Sequence, residues 1–109
     1  MAEMVLLVLI TCADEAEARR IGRALVEARL AACVHLRPHT AIYRWQGRIE
    51  EAAEYSLLAK TTAARFAALQ EAVLALHSYD LPAILAVPVK SGHAPFLDWV
   101  VAATEPPLL

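Results

Sequence analysis

The sequence predicts an α+β fold, a ferredoxin-like βαββαβ sandwich occupying residues 1–109 as a single domain. Three observations predict it. Val5–Ile10 is apolar on both parities, as in a central strand covered on both faces. Two later segments repeat apolar residues at steps of three, four and three, the stripe of an amphipathic helix. Between them lie two strand-like stretches that meet at Gln46-Gly47, so the chain contains two similar βα units joined through a long hairpin.

Taken in order, Val5–Ile10 is the first strand. Asp14-Glu15-Ala16-Glu17 has the spacing of a capping box, and Ala18, Ile21, Leu25 and Ala28 form the apolar face of the helix it opens. Ala31–Arg37 reads as a second strand, interrupted at Pro38 by a bulge or kink because proline cannot donate to a ladder, and resumed over Thr40–Trp45. Gly47 takes positive φ without strain in the turn, and Arg48–Thr61 returns as the third strand. Thr62 is the expected N-cap of a second helix carrying Phe66, Leu69, Val73 and Leu76. His77–Pro82 is a loop and Ala83–Val89 the fourth strand. Pro95 opens a short last helix that ends near Thr104, before Pro106 and Pro107. With right-handed crossovers this order closes into a four-stranded antiparallel sheet with both long helices on one face.

Composition narrows the function classes. Of 109 residues, 59% are hydrophobic and only nine are Gly or Pro, which excludes intrinsic disorder. Twelve acids against ten Lys and Arg leave a net charge of -2, so no broad basic face exists for nucleic acid. The apolar run Val5–Ile10 is six residues, far short of the roughly 20 of a membrane span, and no signal-peptide pattern precedes it. The expectation is a cytoplasmic protein, with no membrane partner, in which Cys12 and Cys33 stay free thiols.

Two helices cover one face of such a sheet, yet the fourth strand places Leu85, Val87 and Val89 on one side and Ile84 and Ala86 on the other. Something must cover the second face. The long hairpin also extends beyond its neighbours with unpaired edges, and self-association through sheet edges satisfies both demands.

The residues Leu30-Ala31-Ala32-Cys33-Val34, Tyr43-Arg44-Trp45-Gln46-Gly47-Arg48-Ile49, Glu54, Leu57 and Lys60-Thr61 resemble a known pattern, continued by His77, Tyr79, Pro82, Phe96 and Trp99. It is that of the CutA-type divalent-cation-tolerance proteins, and the likeness runs from Val5 to Trp99. The resemblance implies a homotrimer assembled by sheet-edge pairing through the hairpin, similar in architecture to the PII-type signalling proteins. It also implies metal-ion binding, copper above all, and a response to metal ions without catalysis. The divalent or copper ion would be a ligand not required for folding. The family's proposed copper ligands fall on Ile10, Leu76 and His77, of which only His77 can ligate; Cys12 lies two residues beyond Ile10 on the same strand face. A family Pro is Ser78 here and a family Glu is Ala83. Those departures favour an alternative, a PII-like scaffold or adaptor that binds a protein partner or a small molecule.

Residue chemistry sharpens the candidates. His77, just past the second helix, is either a metal ligand or a C-cap bonded to helix carbonyls. Cys12, at a strand end where a loop begins, is a reachable thiol and the second metal candidate. Cys33 is either a soft ligand or a small buried hydrophobe. His35 and His39 are four apart but on a strand, so they lack helical chelate geometry. Lys60, Tyr79, Tyr43 and Trp45 are expected to form a polar and aromatic ligand cleft with His77, Lys60 lying near the His77–Pro82 loop. Tyr43, Trp45 and Ile49 are the expected trimer interface, since large aromatics beside a turn favour burial against a partner. Glu50, Glu51 and Glu54 read as a solvated acidic edge. No phosphate loop or GxSxG elbow occurs, and Ser78, His77 and Asp80 read as turn chemistry rather than a catalytic set.

Overall fold

The computed structural model describes residues 3–107. Its elements are β1 (Val5–Cys12), α1 (Glu15–Glu27), β2 (Cys33–Trp45), β3 (Arg48–Thr62), α2 (Ala63–Leu76), β4 (Ile84–Pro88) and α3 (Ala94–Ala103). The strands form one antiparallel sheet in the order β2-β3-β1-β4, the ferredoxin-like arrangement. Val8, Ile10, Leu57 and Ala59 face α1 and α2 and pack on Ala18, Ile21, Leu25, Leu69 and Val73, all essentially buried. Gly22 permits a close approach of α1 to the sheet, because a Cβ there would stand 3.0 Å from Val34 Cγ2 and 3.3 Å from Leu57 Cδ1.

Caps differ in part from expectation. Asp14 Oδ1 accepts from the Glu17 N–H at 2.9 Å, as a capping box requires, but the Glu17 carboxylate reaches back to the Ala13 N–H at 2.8 Å rather than to Asp14. Thr62 makes no side-chain cap bond; Glu3 Oε1 instead accepts from the Ala64 N–H at 3.0 Å. At the far end, Pro95 lies in the first turn of α3 as read from sequence, and Arg29 ties that helix down by donating to the carbonyls of Ala102 and Glu105.

Pro38 produces no bulge. The β2–β3 register runs unbroken through Pro38↔Tyr55, because β2 is an edge strand whose proline nitrogen can face outward without breaking a ladder bond. The hairpin closes on Gln46 and Gly47, with φ 49 and 78, a two-residue turn with both central residues left-handed. Pairing of β1 with β3 ends at Cys12↔Tyr55, so the remainder of β2 and β3 projects as a two-stranded arm.

Across the sheet from α1 and α2, Leu9, Leu85 and Val87 are 45%, 64% and 45% exposed, so this stretch of the second face is apolar and open in the single chain, while Val5 and Thr62 at its other end are buried. Ile42 and Ile49 on the arm are also exposed. Among the described residues no helix is long and apolar enough to cross a membrane.

Candidate functional site

The end of β1, the first turn of α1 and the C-cap of α2 meet at one edge of the core. There a Cys12 sulfur, a Glu17 carboxylate oxygen and a His77 ring nitrogen lie within 4.8 Å of one another. Thiolate, imidazole and carboxylate are a donor set that copper or zinc would accept, so its fit to an ion can be tested atom by atom.

His77 Nε2 donates to the Thr11 carbonyl at 2.7 Å, and Nδ1 accepts from the Tyr79 N–H at 3.0 Å. Those partners define the neutral Nε2–H ring and leave no free lone pair for a metal. His77 is the C-cap of α2, its backbone N–H donating to the Val73 carbonyl at 2.9 Å, but its ring bonds β1 rather than the carbonyls of its own helix. Glu17 Oε1 accepts from the Ala13 N–H at 2.8 Å and Oε2 from the Ser78 N–H at 2.7 Å. Burial pushes the Glu17 carboxyl up, but the Ala13 and Ser78 N–H groups outweigh it and hold the group below its ordinary 4.5. Cys12 ends β1 where the loop begins, as expected, but is fully buried rather than reachable; burial first, then the Glu17 charge, pushes its thiol up to about 12. Among the described residues no buried side-chain nitrogen or oxygen lacks a hydrogen-bond partner. The trio as it stands does not fit an ion. It is a closed brace that ties the β1–α1 loop to the α2–β4 loop. With both His77 nitrogens and the Ser78 amide engaged, the ring is also no base for Ser78.

Beside the brace, the arm and the His77–Pro82 loop enclose a cleft of about 550 Å³. Tyr43 and Trp45 line it from β2, Glu54 from β3, and Tyr79 and Asp80 from the loop. Glu54 is only 6% exposed, which corrects its reading as a solvated edge. Its carboxylate accepts from Tyr79 Oη–H at 2.7 Å, and His39 Nε2 lies 3.2 Å from its other oxygen. Ser56 Oγ stands 2.5 Å from His39 Nδ1 and extends the chain of polar groups that ends on the carboxylate. Burial, then Glu54, pushes the Tyr79 phenol well above its ordinary range, so it stays a donor.

Three of the four predicted cleft residues are there; Lys60 is not. It sits opposite Leu7 and Cys33, with Nζ 3.1 Å from His35 Nδ1. The end of β3 feeds the start of α2, whereas the His77–Pro82 loop follows the end of α2, and 14 helical residues separate those ends by about 21 Å. The expected interface set also divides. Tyr43 and Trp45 share the cleft face of the arm, while Ile49 pairs with Arg44 on its reverse and is 63% exposed. Local sequence signals do not reveal the roles of Glu17, whose position a helix cap already explains, or of His39, whose spacing from His35 carries no chelate geometry. Strand pairing outward from Gln46-Gly47 does place His39 opposite Glu54, a signal already present in the sequence.

Residues 6–103 match the family model described as CutA1 divalent ion tolerance protein. The divalent-cation tolerance protein CutA of Thermus thermophilus is 52% identical over 94 residues, covering 85% of this chain and 91% of that protein. Protein CutA of Mus musculus is 45% identical over 97 residues, covering 88% of this chain but 55% of that longer protein. The solved structure described as the periplasmic divalent cation tolerance protein CutA from Archaeoglobus fulgidus superposes with a TM-score of 0.92 at 39% identity, covering 94% of this chain and all of that one.

Proposed function

The chain belongs to the CutA1 divalent ion tolerance family, and from that premise we propose that it serves cation tolerance by binding rather than by catalysis, as a cytoplasmic homotrimer with its ligand in clefts between subunits. The observation that carries the reading is the cleft itself. Its charged lining is Glu54 and Asp80, with no Lys or Arg, so it attracts cations. Exposed Leu9, Leu85 and Val87 on the open sheet face, with Tyr43 and Trp45 on the arm, supply apolar surface for self-association. A neighbouring copy at the cleft would add donors that a single chain lacks. Copper is the ion that thiol and imidazole chemistry favours, but the brace that holds those groups is closed, so the cation is assigned to the carboxylates of the cleft.

Native mass spectrometry of the reduced protein, with one to a few equivalents of copper or zinc per chain, tests this. The expected result is a trimer with an integral set of ions that Asp80→Asn loses and His77→Ala keeps. Loss only in His77→Ala would move the site to the brace. A monomer, or graded adducts indifferent to both substitutions, would refute the trimer or the metal respectively. A second reading, a PII-like scaffold that binds a small molecule, is favoured by the cleft's volume of about 550 Å³, which lies in the range of small-molecule sites and far exceeds an ion.

A further inference from the structure

We propose that the cleft between the arm and the His77–Pro82 loop binds a small organic ammonium ion, its charge against Glu54 and Asp80 and its alkyl body against Tyr43 and Trp45, given the reading above that this cleft is the ligand site. Sign of charge comes first. With Lys60 at the other end of the helix, both charged groups of the lining are carboxylates. The Tyr79 hydroxyl, a neutral donor, orients the Glu54 carboxylate without cancelling its charge, and the His39 ring nitrogen stands 3.2 Å from the other oxygen. A buried anion held in this way favours a cation of matching position.

Shape then distinguishes an organic cation from a bare metal. Among the described residues, the one group of three or more His, Cys, Asp or Glu donors close enough to converge on an ion is Cys12, Glu17 and His77. The cleft carboxylates are not part of such a group, so within one chain they offer charge without a coordination sphere. What the cleft does offer is volume and aromatic surface. Tyr43 and Trp45 stand two residues apart on the same face of β2, and Ala41, next along that face, leaves room beside them. Aromatic faces together with carboxylates are the chemistry that recognises alkylammonium groups. The site therefore selects positive charge carried on an apolar body, and a divalent cation drawn to the same carboxylates competes with it.

The test uses the full-length protein labelled with nitrogen-15, following the Trp45 indole N–H signal, which a Trp99→Phe variant identifies. tert-Butylammonium is titrated against its neutral isostere tert-butanol, then zinc is added. The expected result is a saturable shift with the ammonium, binding roughly ten-fold tighter than the alcohol, weakened several-fold in Asp80→Asn and reversed by zinc. Asp80 lies exposed on the loop, so its amide variant keeps the fold, which the rest of the spectrum verifies. Equal binding of ammonium and alcohol would overturn the inference while leaving the cleft a ligand site. A shift with zinc and none with ammonium would overturn the inference alone and leave the cation reading in place. Silence of the Trp45 signal toward every probe would overturn both.

Discussion

Replacing Glu17 by Gln removes the charge at the centre of the brace while keeping its shape. The carboxylate accepts from two N–H groups, Ala13 at 2.8 Å and Ser78 at 2.7 Å. A Gln amide keeps one carbonyl oxygen for one of them and turns its NH₂ toward the other, donor against donor. One charge-assisted bond, worth about 1.5–3 kcal/mol, is lost and the survivor weakens to a neutral bond, for a total of about 2–4 kcal/mol. The nearby Arg20 guanidinium, 3.8 Å away and largely exposed, adds little. In a chain of 109 residues the loss lowers the melting temperature by on the order of 10 °C. Glu17 titrates below its ordinary 4.5 in the fold, so its stabilisation is complete above that value and fades as pH falls through the folded pKa. Gln mimics the protonated acid, so the gap between native protein and variant should narrow below pH 4.5. Urea unfolding at pH 7 and at about pH 3.5, at matched protein concentration, reads both effects. A loss under about 0.5 kcal/mol at pH 7, or a gap indifferent to pH, would refute the brace.

Tyr79→Phe removes the hydroxyl bonded to the Glu54 carboxylate and should destabilise by about 1.5–3 kcal/mol in urea unfolding; an unchanged midpoint would show that water replaces the bond. Cys12 is fully buried with its thiol pushed up to about 12, so an aromatic disulfide reagent at pH 8 should modify Cys33 first and reach Cys12 no faster than the protein unfolds. Prompt modification of both thiols would contradict that burial. Trp45→Asp places a charge on the face that the trimer reading buries; sedimentation should then show dissociation, and a stable trimer would remove the arm from the interface.

Much of this protein was legible before any coordinates. Val5–Ile10, the stripes Ala18-Ile21-Leu25 and Leu69-Val73, and the Gln46-Gly47 turn follow from interactions within a few residues, and they place the first five elements of the βαββαβ order. The family signature of the arm and the loop likewise pointed to Tyr43, Trp45 and Tyr79, which do line one cleft. Local rules do not reach features that depend on neighbours. Pro38 was expected to break a strand, but its place at a sheet edge makes it harmless. Lys60 lies at the opposite end of α2 from the His77–Pro82 loop, since proximity to a loop depends on which end of a helix the chain has reached.

What the sequence by itself determined is the fold, because amphipathic period and turn chemistry are properties of adjacent residues. Only the tertiary structure decided the chemistry. Glu17 meets Ser78 across 61 positions, His77 meets Thr11 across 66, and Glu54 meets Tyr79 across 25. Whether each of these groups is a free ligand or a committed partner depends on register and on the direction in which helices return the chain. The same imidazole and thiol that read as metal donors in the sequence are, once folded, a neutral ring with both nitrogens bonded and a buried thiol beside a carboxylate.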